Sequence, residues 1–244
     1  MTRKDIVRNV ILASCLEVIP EKKGCTSKNE NYKENSKFEY FLIAGINIGN
    51  DISNLIKKVE ENDNKQPNTI YDIALDAQKS SIRNRNGGKI NFGIIELFIP
   101  IITSQLVYNS DCVNKVLDGA INVLKNTSKE DVRYHWKFRK MARKISGKVP
   151  DTAFFEVDTI YDYYSLKLDC LDDYVHEQYL NNFVIIKKAY KLLLKYYRGN
   201  LLDASVLVFN DILEDCHNFS VMAADYICII LYLFLCYNPN KVII

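Results

Sequence analysis

The sequence predicts an all-α protein, and three observations carry that prediction. Only 9 glycines and 5 prolines interrupt 244 residues, and these two residue types are the strongest local breakers of regular structure. Apolar residues recur three and four positions apart through most of the chain, which is the spacing of one helix face. No sustained alternation of apolar and polar residues occurs. We therefore expect about ten helices in a single domain over residues 1–244, around one central apolar helix.

The apolar spacing and the end signals set the predicted helices in order. They span residues 4–19, 38–60, 70–82, 91–108, 110–124, 128–146, a segment from 158, and residues 172–197, 202–216 and 219–237. Pro20 ends the first helix because proline lacks the amide proton and clashes with the preceding turn. The fourth is apolar on nearly every side, so it is the predicted central helix. Pro100 lies inside it and is expected to kink it.

Capping signals justify the later helices. Ser110 is the predicted N-cap of the fifth helix. Ser128 followed by Asp131 resembles a capping box for the sixth, which a turn at residues 147–150 closes. Gly199 ends the long eighth helix, over residues 172–197, as glycine does after many helices.

Charge and cysteine usage exclude several classes of protein. A net charge of +2 argues against a nucleic-acid-binding protein that relies on a broad basic surface. Seven cysteines lie far apart without a C-x-x-C pair, so neither a zinc site nor a disulfide framework is predicted. The amino-terminal residues are polar and lack the pattern of a signal peptide. We expect free thiols in a reducing cytoplasm.

The carboxy-terminal helix is the one membrane candidate. Residues 219–237 are nearly all apolar, but Asp225 interrupts them, and the uninterrupted run from residue 226 has only 12 residues. A membrane span needs about 20. We therefore predict a buried core helix, with a membrane-associated protein as the alternative.

The first candidate site is the basic, glycine-rich stretch before the central helix. It contains Arg83, Arg85, Gly87, Gly88, Lys89, Asn91 and Gly93. A glycine turn that leads into a helix leaves backbone amides unpaired at the positive end of the helix dipole. Such an end binds anions, and phosphate is the usual one. The alternative is a basic surface loop that caps a buried helix.

The second candidate site is acidic. Asp169, Asp173 and His176 are spaced so that they share one face of a continuous helix. Carboxylates with a histidine could hold Mg²⁺ or serve acid–base chemistry. Alternatively, acids at a helix start interact favourably with the dipole and nothing more.

The remaining histidines and the cations of the sixth helix are further candidates for functional roles. His135 lies beside Trp136, and we expect it to be structural. The cations of this helix, among them Arg139, form either a solvated face or a wall that faces an anion. Cys216 and His217 are adjacent in sequence, so they do not face each other on a helix, and a Cys–His nucleophile is not expected.

Three motifs, taken in order, carry a family resemblance. Residues 17–24 keep the lysine and glycine of a Pro-Lys-Pro-Gly loop that follows a helix-ending glutamate, as Lys22 and Gly24. Residues 86–93 match the pattern Thr-Gly-x-Asn-Thr-(His/Asn)-x-Gly at its two glycines and at Asn91. Asp173, Tyr179 and Phe183 have the spacing Asp-x-x-(Ala)-x-x-Tyr-x-x-x-Phe. In these motifs the chain resembles the triphosphoribosyl-dephospho-CoA synthase family, especially its shorter archaeal branch.

The resemblance implies an all-α enzyme that joins dephospho-CoA to the ribose of ATP, releases adenine and leaves a triphosphate on the new sugar. It implies a phosphate cradle built by Lys22, Gly24, Arg83, Arg85, Gly87, Gly88, Lys89, Asn91 and Gly93. Asp173 and Lys89 are the implied catalytic residues. Mg²⁺ would accompany the ATP, held by Asp173 with Asp169 or Asp131. The implied partners are ATP and a CoA-like acceptor, without nucleic acid or membrane; the resemblance leaves a homo-oligomer open.

The alternative is a catalytically inactive relative that binds nucleotide or serves in assembly. Lys89 and Ile90 stand where the family has an Asn-Thr pair, and Ile90 cannot form the directional hydrogen bonds of threonine. A His-Thr-His-type element expected near residues 206–211 is also missing.

Overall fold

The computed structural model of the chain describes residues 2–31, 36–85, 90–142, 157–165 and 173–241, with the backbone alone for residues 142 and 173–179. Eleven helices and no strand occur in these ranges, which confirms the all-α prediction. They are α1 (Arg3–Glu17), α2 (Phe38–Asn47), α3 (Gly49–Glu60), α4 (Tyr71–Ser81), α5 (Phe92–Tyr108), α6 (Val113–Lys125), α7 (Lys129–Ala142), α8 (Ile160–Ser165), α9 (Asp173–Tyr196), α10 (Leu201–Ile212) and α11 (Ser220–Tyr237).

One predicted helix is two. The apolar spacing over residues 38–60 predicted a single helix, but the chain breaks between α2 and α3 at Ile48. Gly49 lies directly against α1, and a Cβ there would come 2.6 Å from the Cδ1 atom of Ile11. The break lets α2 and α3 both pack on α1. Apolar spacing cannot reveal such a break, because both helices continue the same stripe.

Of the two predicted helix N-caps, the one at Ser110 is wrong and the one at Ser128 is confirmed. Ser110 is not the N-cap of α6; Cys112 is, and the Ser110 hydroxyl accepts a hydrogen bond from the Cys112 amide at 3.2 Å. Ser128 and Asp131 do form a capping box. The Ser128 hydroxyl accepts from the Asp131 amide at 3.2 Å, and the Asp131 carboxylate accepts from the Ser128 amide at 3.5 Å. The turn predicted at residues 147–150 lies outside the described residues.

Two apolar helices, rather than one, organise the core. The predicted central helix, α5, packs against α3, α4, α6 and α11, and it continues through Pro100. The second is α11, which contacts α1, α5, α9 and α10. Its middle turns, from Ala223 to Phe234, are almost entirely buried. The predicted burial of the carboxy-terminal helix is therefore confirmed.

By length and composition, α11 is also the described helix that could cross a membrane alone. The pair α5 and α6 passes the same criterion together, although the two helices meet at 110°. The cysteines of the described ranges, which exclude Cys170, are all unbridged.

Candidate functional site

The first motif folds onto the end of α1. The side chain of Lys22 is fully buried, and its ammonium group lies 3.1 Å from Oε1 of Glu17. It also donates to the backbone carbonyl of Glu17, one of the carbonyls that a helix end leaves unpaired. Lys22 therefore holds the loop after α1 in place and does not face solvent.

The loop then reaches the start of α11. Gly24 has a φ of +74°, a conformation that favours glycine, and a Cβ there would lie 2.8 Å from the hydroxyl oxygen of Ser220. The next residue, Cys25, places its sulfur 3.5 Å from the backbone carbonyl of Ser220. The Lys22–Gly24 motif thus abuts the first turn of α11.

The second motif begins at α5. Asn91 is the N-cap of this helix, in the left-handed conformation with a φ of 61°, and its side chain makes no capping bond. It is buried, yet neither atom of its side-chain amide has a hydrogen-bond partner within the described ranges. The first helical bond runs from the Ile95 amide to the Asn91 carbonyl at 2.9 Å, so the amides before Ile95 have no helical partner. The start of α5 therefore carries a buried side-chain amide that is unsatisfied within the described ranges, a geometry that suits an anion.

The same motif also touches α11. Gly93 packs so closely on the Asp225 carboxylate that any Cβ would collide with it. Asp225 follows Ser220 by five residues, which is about 7.5 Å along a helix axis. The two family motifs, widely separated in sequence, therefore meet on the first turns of α11.

The pKa of Cys25 is consistent with the meeting of the two motifs. Burial raises the pKa of Cys25 to about 12; the charge of Glu17 adds to this rise, Lys22 opposes it, and Asp225 contributes further. These charged groups therefore act on one thiol from several directions. A thiol with so high a pKa is not a nucleophile at neutral pH.

The two predicted arginines lie at the end of α4. Arg83 is exposed, and its carbonyl accepts a hydrogen bond from the Asn47 side chain at 3.0 Å. Arg85 is half-buried and donates to the Ser81 carbonyl at 2.7 Å, and burial lowers its pKa. Neither contact involves the start of α5.

The predicted metal ligand Asp131 has another role. Its Oδ1 atom accepts hydrogen bonds from the amides of Ile70 and Tyr71, at 2.7 and 2.8 Å, so one carboxylate caps both α4 and α7. Burial raises the pKa of Asp131 to about 6, against the effect of these amides. Because the carboxylate is already engaged and shielded, it is unsuited to bind Mg²⁺.

The structure gives no side-chain contacts for the other predicted site residues. Gly87, Gly88, Lys89 and Asp169 lie outside the described residues. Asp173 begins α9, which packs on α11, but its side chain is not described. Within the described ranges no three histidine, cysteine or acidic side chains group as metal ligands.

Sequence reasoning missed a buried polar network on the other side of α5. Glu96 places one oxygen, Oε1, 2.6 Å from the Tyr164 hydroxyl, 3.0 Å from Nε2 of His135 and 3.1 Å from Nη1 of Arg139. All four side chains are buried. Arg139 also lies over the ring of Phe92, which stacks on Phe138 with centroids 4.5 Å apart. The network ties the first turns of α5 to α7 and α8.

The charges in this network support one another. Burial alone would raise the pKa of Glu96, but the charge of Arg139 and the hydrogen bonds from His135 and Tyr164 outweigh it and lower that pKa to about 2. Arg139 is therefore not on a solvated face; it is buried, and the anion that it contacts is the Glu96 carboxylate of the same chain. Glu96 is the only acidic or basic residue in α5. A lone charge in an apolar helix requires a buried partner, and that signal could have found the network.

Comparison with known proteins identifies the chain at the level of a family. No curated protein and no solved structure matches it. The family model described as CitG: ATP:dephospho-CoA triphosphoribosyl transferase matches residues 3–217, which include both motifs and the Glu96 network. The chain therefore belongs to the ATP:dephospho-CoA triphosphoribosyl transferase family.

Proposed function

We propose that this protein transfers the triphosphoribosyl group of ATP to dephospho-CoA or a related CoA-like acceptor, with release of adenine. One observation carries the proposal beyond family membership. The two motifs meet on the first turns of α11, and Asn91, two residues before Gly93, holds a buried amide without a hydrogen-bond partner among the described residues. A buried polar group without a partner costs about 1–3 kcal/mol, so a ligand that satisfies it explains why it is there.

The proposed reaction balances without a redox step. The bond between the ribose of ATP and adenine breaks, and its electron pair leaves with adenine. A hydroxyl oxygen of the acceptor forms the new bond to the same ribose carbon. The proton of that hydroxyl is lost and adenine gains one, so the products are adenine and the triphosphoribosyl acceptor.

The described residues divide the work of binding. The Asn91 side-chain NH₂ group and backbone amides of the first turn of α5 donate to phosphate oxygens. Asp225 supplies a carboxylate beside them, and a carboxylate stabilises positive charge that develops on a sugar as its glycosidic bond breaks. Glu17 and Lys22 hold the first loop against this place.

Residues outside the described ranges have roles in the proposed function as well. Gly87, Gly88 and Lys89 extend the cradle, with Arg85 next to them in sequence, and Asp173 is a second candidate for the carboxylate near the sugar. Mg²⁺ neutralises the triphosphate in this scheme. Such an ion is commonly held by substrate phosphates with one or two carboxylates rather than by a protein cage, so Asp131 is not needed for it.

The test is an adenine-release assay with purified protein, ATP, Mg²⁺ and dephospho-CoA. We expect free adenine and an acceptor whose mass has increased by one triphosphoribosyl group, in equal amounts. Asn91→Ala is expected to reduce the rate strongly. Asn109→Ala is the matched control, because Asn109 is left-handed at the other end of the same helix, with a φ of 41°.

The inactive-relative alternative makes a different prediction for the same experiment. It expects ATP to raise the melting temperature without release of adenine from any acceptor. Absence of both adenine release and an ATP-dependent melting shift contradicts the proposal and this nucleotide-binding alternative together.

A further inference from the structure

A cavity lies away from the motif site, on the side of α1 that faces α2, α3 and α4. Its volume is about 290 Å³, close to the lower end of the range for small-molecule sites, about 300–1,000 Å³. An apolar part is formed by Val7, Ile11 and Ile46, and a polar part by Asn50, Ser80 and Arg83. The cavity is therefore amphipathic, and Arg83 supplies a cation to its polar part.

The break between α2 and α3 shapes the apolar part. Gly49 packs directly against Ile11, and α2 ends at Asn47, two residues before it. Ile46 stays 57% exposed there. An exposed isoleucine that lines a cavity is a surface for an apolar ligand group, since its burial stabilises the complex.

A buried carboxyl group supports the polar part. Asp51 is only 8% exposed. Its side chain is hydrogen-bonded to Ser80 and lies within electrostatic range of Arg83, both of which line the cavity. Its other oxygen, Oδ2, has no hydrogen-bond partner within the described ranges. The polar wall is thus held by a buried acid that retains a free hydrogen-bonding position.

We infer that this cavity binds the pantetheine arm of the acceptor, an inference that rests on the proposed function. That arm alternates two amides with short aliphatic segments and ends in a phosphate. The aliphatic segments match the isoleucines and Val7. The amides match the side chains of Asn50 and Ser80, and the phosphate matches the guanidinium of Arg83.

The position of the cavity fits an acceptor that reacts at the motif site. The cavity includes residues of α1, the helix whose end carries the first motif. Ile11 precedes Glu17 by six residues, which is about 9 Å along α1. The cavity therefore lies within reach of the first motif along α1.

Calorimetric titration of the full chain tests the inference. The probes are 4′-phosphopantetheine, dephospho-CoA and Mg²⁺-ATP, each with wild type, Ile46→Asp and Asn50→Leu. Both variants are expected to weaken binding of the two pantetheine compounds at least about tenfold, a free-energy change of about 1.4 kcal/mol. Their affinity for ATP is expected to stay within about twofold of wild type, on the same scale.

Matched controls separate this effect from damage to the fold. Leu207→Asp changes an apolar residue of α10 that is 49% exposed, and Asn122→Leu changes an exposed asparagine of α6. Both are expected to bind all three probes like wild type. Melting curves of the cavity variants should match those of their controls.

The outcomes distinguish this inference from the proposed function. If wild type binds dephospho-CoA but the cavity variants bind it equally well, the cavity inference is wrong and the function stands. If dephospho-CoA binds and 4′-phosphopantetheine does not, the arm is not what the cavity recognises. If wild type releases no adenine yet binds the arm in the cavity, the function fails and the cavity assignment survives. If inorganic phosphate competes fully with the arm, the site is a simple anion site and the inference is wrong.

Discussion

The two sides of the first turns of α5 treat polar groups in opposite ways. On one side, a single oxygen of Glu96 is contacted by three side chains, including the cation Arg139. On the other side, the buried amide of Asn91 has no hydrogen-bond partner in the described part of the chain. Both groups are excluded from water, where an unmet hydrogen bond is costly.

This contrast separates a structural role from a binding role along one helix. A fully engaged buried network rigidifies the elements that it connects, and here it fixes α5 against α7 and α8. The rigid helix then holds Gly93 against α11, with Asn91 two residues earlier. Because the donors at its start are oriented before a ligand arrives, binding costs less conformational entropy.

The largest expected effect on stability comes from a substitution that breaks the Glu96 network. Glu96→Ala leaves the Arg139 charge buried without its acidic partner, and loss of one partner of a buried ion pair costs about 3–5 kcal/mol. We expect a fall of this size in the free energy of unfolding, measured by denaturant titration. Glu96→Gln, which keeps an acceptor oxygen, should lose less. An Ala variant within about 1 kcal/mol of wild type would show that the network does not hold the helix.

A second prediction concerns Asp131, the carboxylate that caps two helices. Asp131→Ala leaves the amides of Ile70 and Tyr71 unpaired, at about 1–3 kcal/mol for a lost buried partner. Asp131→Asn keeps an oxygen acceptor and should retain most of the stability. A metal ligand would behave differently, because the Asn variant would then lose Mg²⁺-dependent activity while remaining folded. Parallel unfolding and activity assays separate the two roles.

Acid is expected to remove the stability that the Glu96 network contributes. The folded-state pKa of Glu96 is lowered to about 2 from an ordinary 4.5, so the unfolded chain binds the proton first as the pH falls. The stability that Glu96 contributes is complete above pH 4.5 and is lost progressively as the pH falls towards 2. Glu96→Gln should remove this component of the acid transition. Superimposable wild-type and Gln acid profiles would contradict the assignment.

The smallest expected effect on stability comes from substitution of Asn91, the residue whose side-chain amide is unsatisfied. Asn91→Ala adds strain, because alanine disfavours a left-handed backbone by about 1–2 kcal/mol. The same change removes two buried polar atoms that lack partners, which offsets the strain. We expect melting temperatures close to wild type without ligand, and loss of the stabilisation by Mg²⁺-ATP. Asn109→Ala, strained without the offset, should melt lower and still respond to ATP.

The sequence predicted the helices and the motif positions better than their contacts. Apolar spacing located α5 and α11 correctly, because a helix that is apolar all round must be buried. It could not separate α2 from α3, since packing of Gly49 on α1 determines that break. Lys22 was expected to face phosphate, but its ammonium group is buried against Glu17, and only the tertiary structure shows this.

Residue type predicted the contacts of the site less well than apolar spacing predicted the helices. Glu96 stands in an apolar run and Arg139 in a basic helix, yet both side chains are buried in one network. Asp225 was seen as an interruption of a hydrophobic segment, and its contact with Gly93 depends on how α11 crosses α5. Each of these pairings joins residues far apart in sequence, which composition and periodicity do not register.

The double cap by Asp131 has a consequence for how the protein opens and closes. Its side chain joins the start of α4 to the start of α7, sixty residues later in the chain. Neither helix start can fray without releasing the other, so the two form one cooperative unit. The contact also requires a long loop to close, and such non-local contacts slow folding. Native-state hydrogen exchange at the Ile70, Tyr71 and Asp131 amides should therefore report one shared opening free energy.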